Sequence, residues 1–143
     1  MPHLVILYTG QLDQATNMTL LCRELADVML TIKDESGKQV FPTGGTRVLA
    51  YPAPHYAVAD GGAAGVNAGK DGNYSFVYLN LRMGRGRSEA TQQLAGQTLL
   101  AVVKAFFTSL IDTQHIGITL QIDVGQEVFD AKYSSLHPLF NKG

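Results

Sequence analysis

An α+β domain of order β-α-β-β-α-β is the fold this sequence predicts, on three observations. The chain carries two strand–helix–strand patterns of the same kind, at about residues 2–56 and 73–125. A glycine-rich stretch separates them, and a tail, 126–143, follows the second. At 143 residues the whole, 1–143, is a single domain able to bury a real core.

The first half opens with "MPHLVILYTG". His3–Tyr8 is a short, largely apolar run of the kind that becomes a buried strand, and Thr9-Gly10 ends it. From about Asp13 to Lys33, Met18, Leu21, Leu25, Val28 and Ile32 recur at three- and four-residue steps, which predicts a helix. Asp13 is placed to cap its start, and Asp34, Ser36 and Gly37 break it. After the turn "FPTGGT", Arg47–Tyr51 forms a second extended segment.

The linking stretch "HYAVADGGAAGVNAGKDGNY" has many glycines and few large side chains. It reads as a flexible loop or a long hairpin, not a phosphate cradle, since no lysine-serine pair or helix start follows in the required place. Long loops inside compact domains are often functional, so 57–72 is a candidate to line the mouth of a site.

In the second half, "NYSFVYLNLRM" alternates Tyr74, Phe76 and Tyr78 over a strand, and "GRGR" makes a turn. Ser88 is placed to cap a helix from Glu89 to about Ile111. Its apolar residues (Leu94, Leu99, Val102, Val103, Phe106, Phe107 and Leu110) make a stripe wider than one sheet contact requires. "HIGITLQIDV" then alternates Ile116, Ile118, Leu120, Ile122 and Val124 on one strand face.

Strand–helix–strand units cross over right-handedly onto one sheet, so two of them give four strands with both helices on one face. The other face needs a cover. The tail Glu127–Phe140, with Phe129, Leu136, Leu139 and Phe140, is one candidate, and other copies of the chain are the second. An oligomer is expected.

Composition narrows the partners. Apolar residues make up 45% and charged ones 16%, which places the chain among globular proteins. A net charge of −1 exerts no general pull on nucleic acid or an anionic membrane, so neither is an expected partner. The one cysteine, Cys22, lies in an apolar helical pattern and reads as a small buried hydrophobe. No signal segment or membrane-length apolar run is evident, and the expected location is cytoplasmic. His55, His115 and His137 have no metal-site spacing, so no metal is expected. Nor is there a Ser-His-Asp order or a dinucleotide fingerprint, and no cofactor is expected.

Two features remain for chemistry. A proline at a strand's first position is tolerated because it has no amide hydrogen to give the sheet, and that suffices to explain Pro2. Pro2 has a second reading. Met1 before a small residue is normally removed, which leaves a secondary amine on a rigid ring that can take a proton from a substrate. Arg47 opens the strand that returns beside the first one, and parallel strands start at the same sheet end, so it is expected near Pro2. A neighbouring cation and apolar burial both disfavour the protonated amine. A free α-amine starts at about 7.7–8.0 and proline's secondary amine is intrinsically more basic, so the downward shift leaves a base poised near neutrality.

The second feature is "LRMGRGRS", where Arg82, Arg85 and Arg87 approach a helix N-terminus. Free amide hydrogens and the helix dipole favour an anion there, and arginine adds a bidentate fork. Solvated arginines in a turn are the plain alternative. His3, Tyr8 and Tyr133 are further residues able to touch a substrate, and each also has an ordinary structural role as a strand or tail residue.

"PHLVILY", "FPTGGTR", "LRMGRGRSEATQQLAGQ" with its long helix, and the closing "LHPLF" together resemble the 5-carboxymethyl-2-hydroxymuconate isomerase family of the tautomerase superfamily. The resemblance runs over almost the whole chain. It implies a homotrimer of β-α-β-β-α-β subunits, without a cofactor, active in aromatic compound catabolism. Its substrate would be an unsaturated 2-hydroxy or 2-oxo carboxylate with two or three carboxylates. Carried over by position, Pro2 becomes the general base, and Arg47 and Arg87 become substrate binders; Arg82 and Arg85 match less well. Leu49 departs from the pattern, standing where a second basic residue is looked for after Arg47, and the loop 57–72 is longer than the family needs. Hydration or dehalogenation by the same proline, and anion binding by a non-catalytic trimer, are the alternative functions.

Overall fold

The computed structural model describes residues 2–140. Its elements are β1 (His3–Thr9), α1 (Leu12–Ala15), α2 (Met18–Met29), β2 (Arg47–Ala53), α3 (Ala63–Asn67), β3 (Tyr74–Met83), α4 (Glu89–Thr113) and β4 (His115–Val124). The four strands form one sheet in the order β2-β1-β3-β4. β1 runs parallel to β2, β3 runs parallel to β4, and the two central strands are antiparallel. The fold is the expected α+β arrangement of two strand–helix–strand units joined through β1 and β3.

Alternation divides the sheet into two faces. Leu4 and Ile6 of β1 and Val77, Leu79 and Leu81 of β3 are fully buried against the helices. Leu21, Leu25 and Met29 of α2 and Leu99, Val103 and Phe107 of α4 complete that core. The opposite face carries Leu7, Leu49 and Tyr51, each about half exposed in the single chain.

Sequence periodicity merged two helices into one. α1 stops at Ala15, and Asn17 rather than Asp13 caps α2, its side chain accepting from the Leu20 N–H at 3.1 Å. Asp13 is drawn away because it accepts a 2.6 Å hydrogen bond from the Tyr8 hydroxyl. The helix also ends at Met29, since Lys33 pairs with Gln39 across a turn in which Asp34 accepts from the Ser36 and Lys38 amides. Ser88 does cap α4, accepting from the Thr91 N–H at 3.1 Å.

α4 is long and apolar enough to cross a membrane by length and composition. One stripe of it, Thr91, Ala95, Leu99, Val103 and Phe107, packs into this domain's core. Val102, Phe106 and Leu110 widen that contact, which accounts for most of the broad stripe in the sequence, while Leu94 stays exposed.

Two expectations about the remaining segments are corrected. The tail does not cover the open sheet face: Val128, Phe129 and Tyr133 project almost wholly into solvent, and the tail meets the rest of the chain at its start, where Glu127 pairs with Arg82, and at its far end. There His137 and Phe140 seat on Gly44, where a Cβ would lie 3.2 Å from the Phe140 ring. The linking stretch is no bare loop, because it contains α3. It also sits at the sheet end where β3 begins, the opposite end from Pro2 in the same chain, so it does not line a site at Pro2 from within this subunit.

Candidate active site

Pro2 directly precedes β1 and is buried. Removal of Met1, expected from the sequence, concerns a residue outside the described ones. Because β1 and β2 are parallel, they start together, and the register sets His3 opposite Arg47. Arg47 therefore stands across from the residue next to Pro2, one strand spacing of about 4.8 Å away. The local reason is the turn at Thr43–Gly45, where the Gly45 and Thr46 amides both donate to the Pro42 carbonyl and deliver the chain into β2.

Arg47 is half-buried and, among the described residues, makes no ion pair and no side-chain hydrogen bond. It lines a groove of about 500 Å³ between α2 and β2, with Cys22, Thr43 and Val48, and with Phe140 at its wall. An unpaired guanidinium keeps its five donors for a ligand.

Arg87 is placed elsewhere. One of its terminal nitrogens donates to the Val40 carbonyl at 2.7 Å. It lines a separate groove of about 390 Å³ with Asp34, Glu35, Lys38, Ser88 and Thr91, a groove that includes neither Pro2 nor Arg47. Glu35 there accepts from the Ser88 hydroxyl, and this pair holds its carboxyl below the usual range. Within one chain the fold thus draws Pro2 and Arg47 together and leaves Arg87 on another surface.

The register brings in residues that the sequence did not single out together. His3 faces Arg47 on one side and Arg82 on the other. Arg82 in turn lies opposite Asp123. The row Arg47–His3–Arg82–Asp123 thus crosses the open face at the Pro2 end. Burial, then the Arg47 charge, hold the His3 imidazole below its ordinary value, with Arg82 adding to the effect and Asp130 opposing it. Asp123 accepts from the Asn80 amide at 2.8 Å, and Asp130 pairs with Lys132 at 2.8 Å. The signal for Arg82 was the even-numbered alternation of its strand, but only the antiparallel pairing of β1 and β3 reveals its neighbour.

Tyr8 is buried towards the other end of β1. Burial, and then its hydrogen bond to Asp13, push its hydroxyl up to about 12. Tyr133 lies exposed on the tail. Among the described residues no group of three or more His, Cys, Asp or Glu side chains is arranged to hold a metal ion.

A family model described as 5-carboxymethyl-2-hydroxymuconate isomerase matches residues 2–140. The chain belongs to that family. A curated relative from Escherichia coli, 5-carboxymethyl-2-hydroxymuconate Delta-isomerase, is 24% identical over 140 residues, 98% of this chain and 99% of the relative. A solved 5-carboxymethyl-2-hydroxymuconate delta-isomerase is 62% identical with a TM-score of 0.97, covering 100% of this chain and 95% of that one. The family member from Deinococcus radiodurans R1 is 28% identical with a TM-score of 0.80, over 99% and 95% of the two chains. The chain is therefore an isomerase of this family, and its tautomerase-type fold is the one its relatives share.

Proposed function

We propose that this isomerase moves a proton along an unsaturated 2-hydroxy acid bearing two or three carboxylates, of the type 5-carboxymethyl-2-hydroxymuconate, with Pro2 as the general base. The observation that carries the reading is the pairing of His3 with Arg47, which starts β2 next to the buried Pro2 with an arginine that has no partner among the described residues. The names of the relatives supply the substrate class.

In this reading Met1 is removed and the ring nitrogen of Pro2 becomes the terminal amine. A nearby guanidinium and an apolar setting both disfavour its protonated form, so the amine is free to accept a proton at neutral pH. It takes the proton of the substrate's 2-hydroxyl, and negative charge spreads over the resulting dienolate. The same proton returns to a carbon of the conjugated chain, leaving a 2-oxo product and a neutral amine. No electrons leave the substrate and no second reactant enters. Arg47 holds a carboxylate, and a fixed cation near the developing oxyanion lowers the barrier. Arg87 can join such a site only from another subunit or by leaving the Val40 carbonyl.

We further propose a homotrimer working in the cytoplasm in aromatic compound catabolism. The half-exposed Leu7, Leu49 and Tyr51 and the projecting Val128 and Phe129 support association, since such apolar surface favours burial. The single free Cys22 suits a reducing compartment. Sedimentation equilibrium at the mass of three chains is the expected result, and a monomer at micromolar concentration would contradict it.

The test of the reaction is a chain with one residue retained before Pro2. It should fold as the parent does and lose isomerisation of 5-carboxymethyl-2-hydroxymuconate. Undiminished turnover would overturn Pro2 as the base. Hydration or dehalogenation in place of isomerisation would show as activity on haloacrylates with none on the enol.

A further inference from the structure

The open sheet face changes character along its length. Successive rows across it read Tyr51–Leu7–Tyr78–Thr119, then Leu49–Val5–Asn80–Gln121, then Arg47–His3–Arg82–Asp123. The first two carry no charged side chain, whereas the last is charged and lies beside Pro2. Desolvating such a row without partners is unfavourable, so it suits a pocket holding an anion better than a packed interface.

Its two cations are in different states. Arg47 is unpaired among the described residues, while Arg82 reaches Glu127 of the tail. Both the Nε and a terminal nitrogen of Arg82 lie 3.3 Å from the same Glu127 oxygen, Oε1. Two long contacts to one oxygen do not make the parallel two-oxygen fork that arginine forms with a well-placed carboxylate. Both side chains are also about half exposed, and ion pairs of that kind contribute little. Glu127 is there because glycine precedes it by two positions: a Cβ on Gly125 would collide with the folded-back carboxylate.

We propose that Arg82 is a second substrate-carboxylate binder, and that Glu127 occupies it until a substrate carboxylate displaces the tail's own. This rests on the reading of the substrate as a polycarboxylate. Arg47 and Arg82 flank His3 at two strand spacings, about 10 Å between their backbones. Two guanidiniums so placed can hold carboxylates at two points of one extended anion. Arg82 also supplies a cation on the row next to the position where Leu49 offers none. An imidazole kept towards its neutral form between them adds no third charge to satisfy.

The experiment compares the parent enzyme with Arg82→Gln and Glu127→Gln, using a 2-hydroxydienoate with one carboxylate and one with three. Arg82→Gln should raise KM for the tricarboxylate about 10- to 100-fold with kcat nearly unchanged, and raise that for the monocarboxylate far less. Glu127→Gln should move KM for the tricarboxylate the other way, lowering it severalfold. If Arg82 merely tethers the tail, both variants break the same tether and raise KM together, which overturns the inference. An unchanged KM in Arg82→Gln overturns it as well. Calorimetric titration with the non-reactive tricarballylate separates this result from the reaction itself. Weaker binding in Arg82→Gln and tighter binding in Glu127→Gln is expected even if the parent turns over neither dienoate. That lack of turnover would count against the proposed reaction alone, whereas equal tricarballylate binding in all three proteins would count against Arg82.

Discussion

The two ends of the sheet are made from the same four strands and use their polar groups in opposite ways. Where β1 ends and β3 begins, side chains hold the chain to itself. Thr9 Oγ1 accepts from the Phe76 N–H at 3.0 Å, Gln11 donates to the Tyr74 carbonyl at 2.6 Å, and the Gly65 N–H donates to the Tyr74 hydroxyl at 2.9 Å. Gly10 donates to the Ala53 carbonyl so closely that a Cβ there would sit 2.8 Å from that oxygen. Six residue steps away, about 20 Å along β1, the Pro2 end leaves Arg47 unpaired among the described residues and Arg82 only loosely held. Polar groups committed to backbone partners stabilise a fold, whereas uncommitted ones are available to a ligand. That first end also holds Ser75 Oγ and His115 Nε2 buried without a partner among the described residues, so the difference that favours the Pro2 end for chemistry is one of charge: the guanidiniums open to an anion lie there.

Substitutions at the two ends should therefore separate into activity effects and stability effects. The largest is expected from blocking Pro2 with a retained residue, where loss of the proposed base should lower kcat by about 10²- to 10⁴-fold with an unchanged melting curve. A variant that also melts early would blur the contrast between the ends. Next comes Arg47→Gln, which removes the guanidinium but keeps a polar side chain. The predicted loss in kcat/KM is about 10- to 100-fold, read by steady-state kinetics, again at parental stability.

At the other end the pattern reverses. Tyr8→Phe deletes the donor to Asp13 and should cost about 1 kcal/mol in denaturant unfolding, with turnover per folded molecule unchanged. It also carries a pH signature. Because the folded hydroxyl titrates at about 12, above its ordinary 10, the folded state keeps a proton that the unfolded chain gives up. This contribution is complete below pH 10 and is lost as pH rises towards 12, and Tyr8→Phe should remove that part of the alkaline decline.

The smallest effect is assigned to His3. Its folded value lies below 6.5, so the unfolded chain binds a proton first as pH falls. Stability is then lost on acidification from just above 6.5, and His3→Asn should flatten that segment of the pH–stability curve. A steeper curve in the variant would mean that His3 is held charged, and the cationic row would have to be redrawn.

Period and punctuation in the sequence sufficed for the four strands, the long second helix and its Ser88 cap, because those signals are local. The first helix was misread for a long-range reason. Both Asp13 and Asn17 are good capping residues, and the choice was made by Tyr8, which takes Asp13 from another element. Arg82 stands out in the sequence only as one of three arginines in a turn, and for the same kind of reason, since its partnership with His3 follows from antiparallel pairing of strands about 70 residues apart, a register that no local pattern encodes. Apolar residues in the tail signalled burial without saying against which surface, and Phe129 and Val128 do not find it in their own subunit. Arg47 was legible because parallel strands joined by one helix must start together.

The account stands most directly on the charge of the Pro2 nitrogen. Titrating the mature enzyme labelled with ¹⁵N-proline, by NMR, reads that charge without reference to turnover. A midpoint clearly below the ordinary α-amine range of about 7.7–8.0 is predicted, rising when Arg47 is replaced by Gln. A midpoint at or above that range, indifferent to Arg47, would contradict it.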